Sequence, residues 1–357
     1  MSEIPELDTA AISAAYERRV SAACPAHLRL ALEVRERLDP ERWALEWHLP
    51  WWLGYAFGLE RETCSDLVLS NVLGLASIRL RDDLIDGEID PRAVADARLV
   101  SDALYEAALD VYRAAFPGSS SLWGRLDSFM ADWQAAASNN AEPGHDPAMD
   151  DGMLRLLARR GAPLKISAYA VCLLADRTDH AFAMLEHCLD HALAAMVLYD
   201  HFCDWQADLA AGRWNAFVAG ATTYPQVPDS RERIRATVLV AMISRRSIET
   251  HFAPIKSELE HATMISRQLG VVGLTDHIAG LTTQLDEQAT TMQARFGQLG
   301  ERATSLVFGD RPPFAARKPF LEQAKRRRWT DDGPGERVRP AIPDKRGYVA
   351  GRAGRGI

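Results

Sequence analysis

The spacing of apolar residues is the feature that most constrains the fold of this chain. Over most of its 357 residues, alanine, leucine and other apolar residues recur every three or four positions, without a convincing run of alternating polar and apolar residues. A period near 3.6 predicts α-helices, whereas half-buried strands show a period of two. Turn signals divide the sequence into roughly ten segments of about four to eight helical turns each. We therefore predict an all-α protein in which residues 1–310 form one large helical domain.

Composition and charge limit the classes of function. The chain is 47% hydrophobic and 25% charged, with a net charge of -8, so nucleic-acid binding is not expected of the whole chain. Its five scattered cysteines lack a C-x-x-C pair, and its acidic N-terminus lacks an apolar signal core. These features predict a reduced, cytoplasmic protein. The longest charge-free apolar run, residues 166–175, is about half a bilayer span, so we predict no transmembrane helix.

The C-terminal segment, residues 311–357, differs from the rest of the chain. It contains 13 Lys or Arg against 5 Asp or Glu, a net charge of +8, which leaves -16 on the body. The segment is also rich in Gly, Pro and Arg and poor in apolar residues. Such composition predicts a disordered basic tail, and the functional alternatives are a lid over an anionic ligand or a weak tether to acidic lipids or nucleic acid.

A first acidic cluster ends a segment with helical periodicity. Asp82, Asp83 and Asp86 fall within five residues, followed by Gly87 and Glu88. Asp82 and Asp86 are four apart and share one helical face, where like charges repel, and the helix dipole disfavours anions at a C-terminal end. A hard divalent cation such as Mg²⁺ would remove this conflict, because it prefers oxygen ligands. The alternative is a solvated acidic helix end.

A second acidic cluster continues a strongly apolar helical segment. Asp200, Asp204 and Asp208 are spaced four and four, so they form one stripe two turns long. Residues 181–199, just before the stripe, are apolar enough to run through a core. Buried carboxylates must be paired, protonated or bound to metal. If the helices of the two clusters face each other, their carboxylates form a multi-metal site open to a phosphate ester or diphosphate.

Basic residues between the two clusters supply the opposite charge. Arg159 and Arg160 precede a helix start marked by Pro163, and Lys165 falls in its first turn. Cations there oppose the helix dipole, but the arrangement becomes favourable if an anion binds. These residues are candidates for binding the diphosphate, together with Arg213 just past the second cluster. The alternative is that their long side chains simply reach solvent.

These motifs resemble those of class I isoprenoid synthases. "DDLID" at 82–86 looks like the first aspartate-rich motif, and "DHFCDWQAD" at 200–208, followed by "GRWN", looks like the second metal motif. "APLK" at 162–165 is similar to the segment that carries a diphosphate-binding lysine. His201 stands where a trans-prenyltransferase usually has aspartate. The resemblance spans roughly residues 40 to 300.

The resemblance implies a fold, a cofactor and a reaction. The fold would be an antiparallel helical bundle around a deep central pocket. Three Mg²⁺, with Mn²⁺ able to replace them, would bridge the substrate diphosphate and the aspartates. The implied metal ligands are Asp82, Asp83, Asp86, Asp200, Asp204 and Asp208. Ionisation of a linear prenyl diphosphate would leave an allylic carbocation in a pocket that excludes water. A homodimer is also implied.

The same motifs occur in cyclases and in chain-elongating transferases. In the transferases, a G-K-R segment near the N-terminus and an R-R-G just after the first motif hold a second diphosphate, and this sequence has neither segment at those positions. We therefore expect a terpene synthase, a lyase that cyclises one prenyl diphosphate, with a trans-prenyltransferase as the alternative. A non-catalytic metal-binding helical protein is the second alternative, and a phosphohydrolase is a weaker one because it usually needs histidine ligands or a positioned base.

Four residues are predicted to shape the pocket. Ser77 and Ile78 lie one turn before Asp82, where they would limit substrate length. Phe57 and Phe202 belong to a set of aromatic residues near the motifs, and aromatic faces can stabilise carbocations. Ordinary core packing is the alternative for each aromatic residue.

Overall fold

The computed structural model describes residues 4–138, 151–222, 230–243 and 246–308. These residues form thirteen α-helices, and no strand occurs among them, which confirms the predicted all-α class. The helices are α1 Thr9–Ala23, α2 Leu28–Glu36, α3 Ala44–Phe57, α4 Arg61–Ile85, α5 Val94–Ala115, α6 Ser121–Ser138, α7 Asp151–Ala158, α8 Leu164–Leu174, α9 Asp179–Ala211, α10 Ala216–Ala221, α11 Arg231–Ile243, α12 Arg246–Leu269 and α13 Val272–Phe308. The basic tail at 311–357 lies outside the described residues.

Three hydrophobic clusters hold the helices together. The largest joins α3, α5, α6, α8, α9, α12 and α13, and a second joins α1 to α5. A third lies where α9 ends, against α10, α11 and α12. The two helices that carry the acidic clusters, α4 and α9, therefore run through packed surroundings. Burial of their apolar faces fixes how they are rotated, because each buried large side chain contributes about 1.5–3 kcal/mol.

Helix α3 passes through Pro50 without ending. Proline has no N–H, so the carbonyl of Glu46, four residues earlier, loses its usual helical donor. The side-chain amide of Asn71 on α4 donates to this carbonyl instead. This hydrogen bond between Asn71 and the Glu46 carbonyl connects α4 to α3. The Glu46 side chain lies on the wall of the pocket described below.

Helix α9 is the longest apolar element of the core. Among the described helices it alone is long and apolar enough to cross a membrane by length and composition, yet 61% of its apolar window is buried inside the fold. It packs along α12 and also contacts α7, α8 and α10. Most of the apolar side chains of α9 therefore pack in the protein core.

Candidate active site

One large pocket lies between α4 and α9, with further walls from α3, α5, α6 and α8. Its volume is about 190 Å³, an order of magnitude above the roughly 10–15 Å³ that one buried water needs. The pocket is therefore the size of a ligand. Carboxylates from both acidic clusters line it, and apolar and aromatic side chains form much of the remaining wall.

The side chains of the first acidic cluster point in two directions. Asp82 and Asp86, on one helical face, both line the pocket. Asp83 is 5% exposed and is not among the lining residues; its carboxylate lies 2.9 Å from the Arg37 guanidinium and 3.5 Å from that of Arg79. The structure therefore places Asp83, which the sequence grouped with the metal ligands, outside the pocket lining, in an ion-pair network that includes the lining residue Arg79.

The second acidic cluster also faces the pocket, through Asp200 and Asp208. Asp204 is 8% exposed and, although on the same stripe, is not among the lining residues. The stripe ends with α9, where Gly212 adopts φ +72° and allows the chain to turn back. The N–H of Arg213 then donates to the Asp208 carbonyl at 2.8 Å.

Both carboxylate oxygens of Asp208 are held by the turn after α9. The Arg213 guanidinium donates to one oxygen at 3.0 Å, and the Asn215 amide donates to the other at 2.8 Å. Arg213 also lies 3.9 Å from Glu88, just beyond the first cluster. This arginine therefore joins the ends of the two acidic helices, about 120 residues apart in sequence, and it lines the pocket.

Asn215 was not predicted as a site residue, although the sequence "GRWN" contains it. Its side-chain oxygen accepts from the N–H groups of Phe217 and Val218 and so caps α10. Its amide also donates to the His201 carbonyl at 2.8 Å. His201, which lines the pocket, accepts the Ala216 N–H at Nδ1, so its neutral ring carries the proton on Nε2.

The predicted basic group separates in the structure. Arg160 lines the pocket, whereas Arg159 is half exposed and lies 3.6 Å from Asp132. Lys165 is buried and is not a lining residue. Its ammonium lies 2.5 Å from Asp190 and 3.4 Å from Glu186 on α9. Leu164 and Ile166 line the pocket, and at about 100° per residue the helical face between them lies opposite Lys165.

Gly161 brings Arg160 close to α9. A Cβ at this position would lie 2.4 Å from a methyl carbon of Leu193. Only glycine permits this approach without moving Leu193, itself a pocket residue.

Of the four residues predicted to shape the pocket, Ile78 lines it and the other three do not. Ser77 is fully buried and donates to the Ser101 carbonyl at 2.8 Å. Phe57 lies under the Arg177 guanidinium at 4.6 Å, and Phe202 packs against Phe217 in the third hydrophobic cluster. These three side chains lie on helix faces that point away from the pocket. Trp214, one of the aromatic residues near the second motif, does line the pocket, as do four aromatic residues that the sequence did not single out: Trp43, Tyr105, Tyr112 and Trp133.

Glu46 and Arg79 are further unpredicted residues of the pocket wall. Both side chains are 6% exposed, and Arg79 stacks over Trp43 with its guanidinium carbon 5.6 Å from the ring centre. Burial raises the pKa of the Glu46 carboxyl to about 7, against a smaller lowering by its own backbone N–H and by Arg79. The sequence could have indicated Glu46 in one way, because it is a charged residue inside the apolar, tryptophan-rich run that forms α3.

Comparison with known proteins gives structural matches alone. No family model and no curated protein matches the sequence. The geranylgeranyl pyrophosphate synthetase of the archaeon Geoglobus acetivorans matches with a TM-score of 0.60 and 13% identity over 74% of this chain and 95% of its own. The heptaprenyl diphosphate synthase of Staphylococcus aureus gives 0.60 and 13% over 78% and 99%.

A third match is the polyprenyl synthase of Caulobacter crescentus CB15, solved with calcium and isoprenyl diphosphate. It has a TM-score of 0.53 and 12% identity over 73% of this chain and 97% of its own. Identities this low establish the fold and nothing finer. The chain has the class I isoprenoid synthase fold.

Proposed function

We propose that this protein is a Mg²⁺-dependent enzyme that ionises an allylic prenyl diphosphate. The observation that carries the proposal is the lining of a single pocket by Asp82, Asp86, Asp200 and Asp208 together with Arg160 and Arg213. Carboxylate oxygens are the donors that Mg²⁺ prefers, so this donor set fits the ion. Carboxylates alone would repel a diphosphate, whereas carboxylates with bound cations and two arginines attract one.

The reaction begins with cleavage of the bond between the allylic carbon and the diphosphate oxygen. The electron pair leaves with the diphosphate, and the carbon becomes a carbocation. Bound Mg²⁺ supplies Lewis-acid stabilisation of the leaving charge. Arg160 and Arg213 add charge-assisted hydrogen bonds to the same group. Arg213 is already oriented by Asp208, which lowers the reorganisation that the reaction requires.

The rest of the wall suits a hydrocarbon chain and a cation derived from it. Ile78 lies one helical turn from Asp82, so it is placed to contact the first isoprene units. Aromatic faces in the lining, including Tyr105, Tyr112 and Trp133, can stabilise a carbocation while keeping water away. Replacement of Ile78 by Trp or Ala is expected to shorten or lengthen the preferred substrate or product.

A trans-prenyltransferase is the first candidate for the fate of the carbocation. The solved structures that match are prenyl diphosphate synthases, which favours this reaction. In it, the alkene of isopentenyl diphosphate attacks the carbocation and forms a carbon–carbon bond. A proton then leaves the new cation and passes to the released diphosphate, which gives a longer allylic diphosphate.

A cyclase is the second candidate, supported by the distribution of positive charge. Among the described residues, three cations line the pocket: Arg79, Arg160 and Arg213. If two of them hold one diphosphate, Arg79 alone is left among these three for a second. A cyclase needs one diphosphate site, because the carbocation is attacked by a double bond of its own chain.

The deciding experiment offers the purified protein geranyl, farnesyl, geranylgeranyl or geranylfarnesyl diphosphate with Mg²⁺, each alone and with isopentenyl diphosphate. Products are read by gas chromatography and mass spectrometry, after phosphatase treatment where they are diphosphates. Longer linear products that require isopentenyl diphosphate identify a transferase. Cyclic products from one diphosphate identify a cyclase.

Variants test whether the pocket carries the activity. Asp82→Asn and Asp208→Asn are expected to abolish turnover, whereas Asp66→Asn, an exposed aspartate on the same helix as Asp82, is expected to retain it. Turnover that survives in Asp82→Asn would refute the assignment. Without turnover of any substrate, Mg²⁺-dependent binding of inorganic diphosphate separates an inactive diphosphate binder from a helical protein that only binds metal.

A further inference from the structure

Four side chains capable of binding a metal face one another across the packed helices α9 and α12. His187 and His191 are four apart on α9, and Glu258 and His261 are three apart on α12, so each pair shares one helical face. None of the four lines the substrate pocket. Beside them, the Cys188 thiol donates to the Ala262 carbonyl at 3.3 Å, which fixes the register of the two helices.

The distances place three ligand atoms around one point. His191 Nδ1 lies 2.7 Å from Glu258 Oε2, and the rings of His191 and His261 are 5.0 Å apart. One ligand atom from each of these residues lies within 4.8 Å of the other two. In a tetrahedral site with bonds of about 2.0–2.1 Å, donor atoms lie about 3.4 Å apart. Binding therefore requires the exposed His261 ring to move inward and His191 Nδ1 and Glu258 Oε2 to separate by about 0.7 Å.

The fourth residue, His187, has the position of an orienting partner. Its Nε2 lies 3.2 Å from Nε2 of His191, on the side of the ring opposite to Glu258. A histidine that binds a metal through one nitrogen commonly donates a hydrogen bond from the other, which fixes the ring and its tautomer. His187 can accept that bond.

Burial and charge support occupation of this point by a cation. Glu258 is 8% exposed, and its buried carboxylate is compensated by His191, either through a hydrogen bond from Nδ1 or through a cation that both groups bind. We propose that His191, Glu258 and His261 bind a divalent transition-metal ion of the zinc class, with His187 orienting His191. Two imidazoles with one carboxylate suit Zn²⁺, Co²⁺ or Ni²⁺, whereas Mg²⁺ prefers oxygen ligands. The ion braces α12 against the helix that carries the second acidic cluster.

The site is tested on the full chain by titration with Zn²⁺ in a large excess of Mg²⁺, which occupies hard-oxygen sites. Calorimetry is expected to show one equivalent bound, thermal unfolding to shift upward, and Co²⁺ to give the visible absorption bands of a four-coordinate site. His191→Ala and His261→Ala are expected to weaken binding by about 100-fold, and His187→Ala by about 10-fold.

Matched variants separate this site from the substrate pocket. His180→Ala, an exposed histidine on the same helix, and Asp82→Asn are expected to leave Zn²⁺ affinity unchanged. Circular dichroism verifies that each variant is folded. Absence of Zn²⁺ binding in excess Mg²⁺, binding that is unaffected by His191→Ala and His261→Ala, or loss of binding in Asp82→Asn would each overturn the proposal. Because these readouts do not use turnover, they are independent of the proposed enzymatic reaction.

Discussion

Replacement of Glu46 by glutamine is expected to stabilise the protein at neutral and alkaline pH. The Glu46 side chain is buried in the pocket wall, and burial raises the pKa of its carboxyl from 4.5 to about 7. Between these values the folded protein holds a proton that the unfolded chain has lost. Stability therefore falls as pH rises from about 4.5 to 7, and the loss is complete above pH 7.

The magnitude follows from the size of the pKa change. A rise in pKa from 4.5 to about 7 corresponds to about 3 kcal/mol, because each tenfold change in an equilibrium constant is worth about 1.36 kcal/mol. Glutamine carries no charge at any pH and retains the shape of the side chain, so the free energy of unfolding of the variant does not fall in this way as pH rises. The difference in unfolding free energy between Glu46→Gln and the unaltered protein is expected to be near zero at pH 4.5 and to reach about 3 kcal/mol at pH 8.

The assay is urea denaturation of both proteins at intervals from pH 4.5 to 8.5. Burial lowers the pKa of His251 and of His277 to about 4, so both proteins also lose stability on acidification below about pH 6.5. Comparison of variant and unaltered protein at each pH removes this shared contribution. Glu62→Gln, an exposed glutamate on α4, is the control and should show no trend. A constant difference across the range, or one that shrinks as pH rises, would refute the reasoning.

Three further substitutions test roles that the structure assigns. Lys165→Met leaves two partly exposed carboxylates of α9 without their cation. We expect thermal unfolding to show a loss of about 1–3 kcal/mol in stability, with an unchanged KM for the proposed diphosphate substrate. A raised KM at unchanged stability would instead assign Lys165 to the proposed diphosphate site. Gly161→Ala forces Leu193 to move and should lower the free energy of unfolding by about 1–3 kcal/mol. Gly220→Ala is the control, because its added methyl group meets open space. Asn215→Ala removes the cap of α10 and the hydrogen bond to the Asp208 carboxylate. We expect calorimetry to show a stability lower by about 0.5–2 kcal/mol and weaker Mg²⁺ binding. Lower stability with unchanged Mg²⁺ binding would limit the role of Asn215 to capping.

The helical class and the two acidic clusters could be predicted from the sequence because both are local properties. The spacing of Asp82 and Asp86, and of Asp200 and Asp208, places each pair on one helical face whatever the rest of the chain does. An acidic stripe that follows an apolar helix also predicts a carboxylate site beside a core. Whether the two helices face each other was left as a condition by the sequence, and the structure meets it, since residues of both clusters line one pocket.

Which side chain of a cluster faces the pocket depends on partners that are distant in sequence. Asp83 points away because Arg37, 46 residues earlier, meets it there, and Lys165 points away because α9 presents two carboxylates to it. Residues one apart on a helix differ in direction by about 100°, so a motif alone does not separate a ligand from its neighbour.

The sequence by itself determined that the chain is helical and where its carboxylates are concentrated, because helical periodicity and charge spacing are set within a few turns. The tertiary structure alone decided that Glu46 lies in the pocket wall, that Arg213 joins the two acidic helices, and that His191 meets Glu258 across α9 and α12. Each of these contacts joins residues that are distant along the chain. Their positions are fixed by how the helices pack, a property of the whole core.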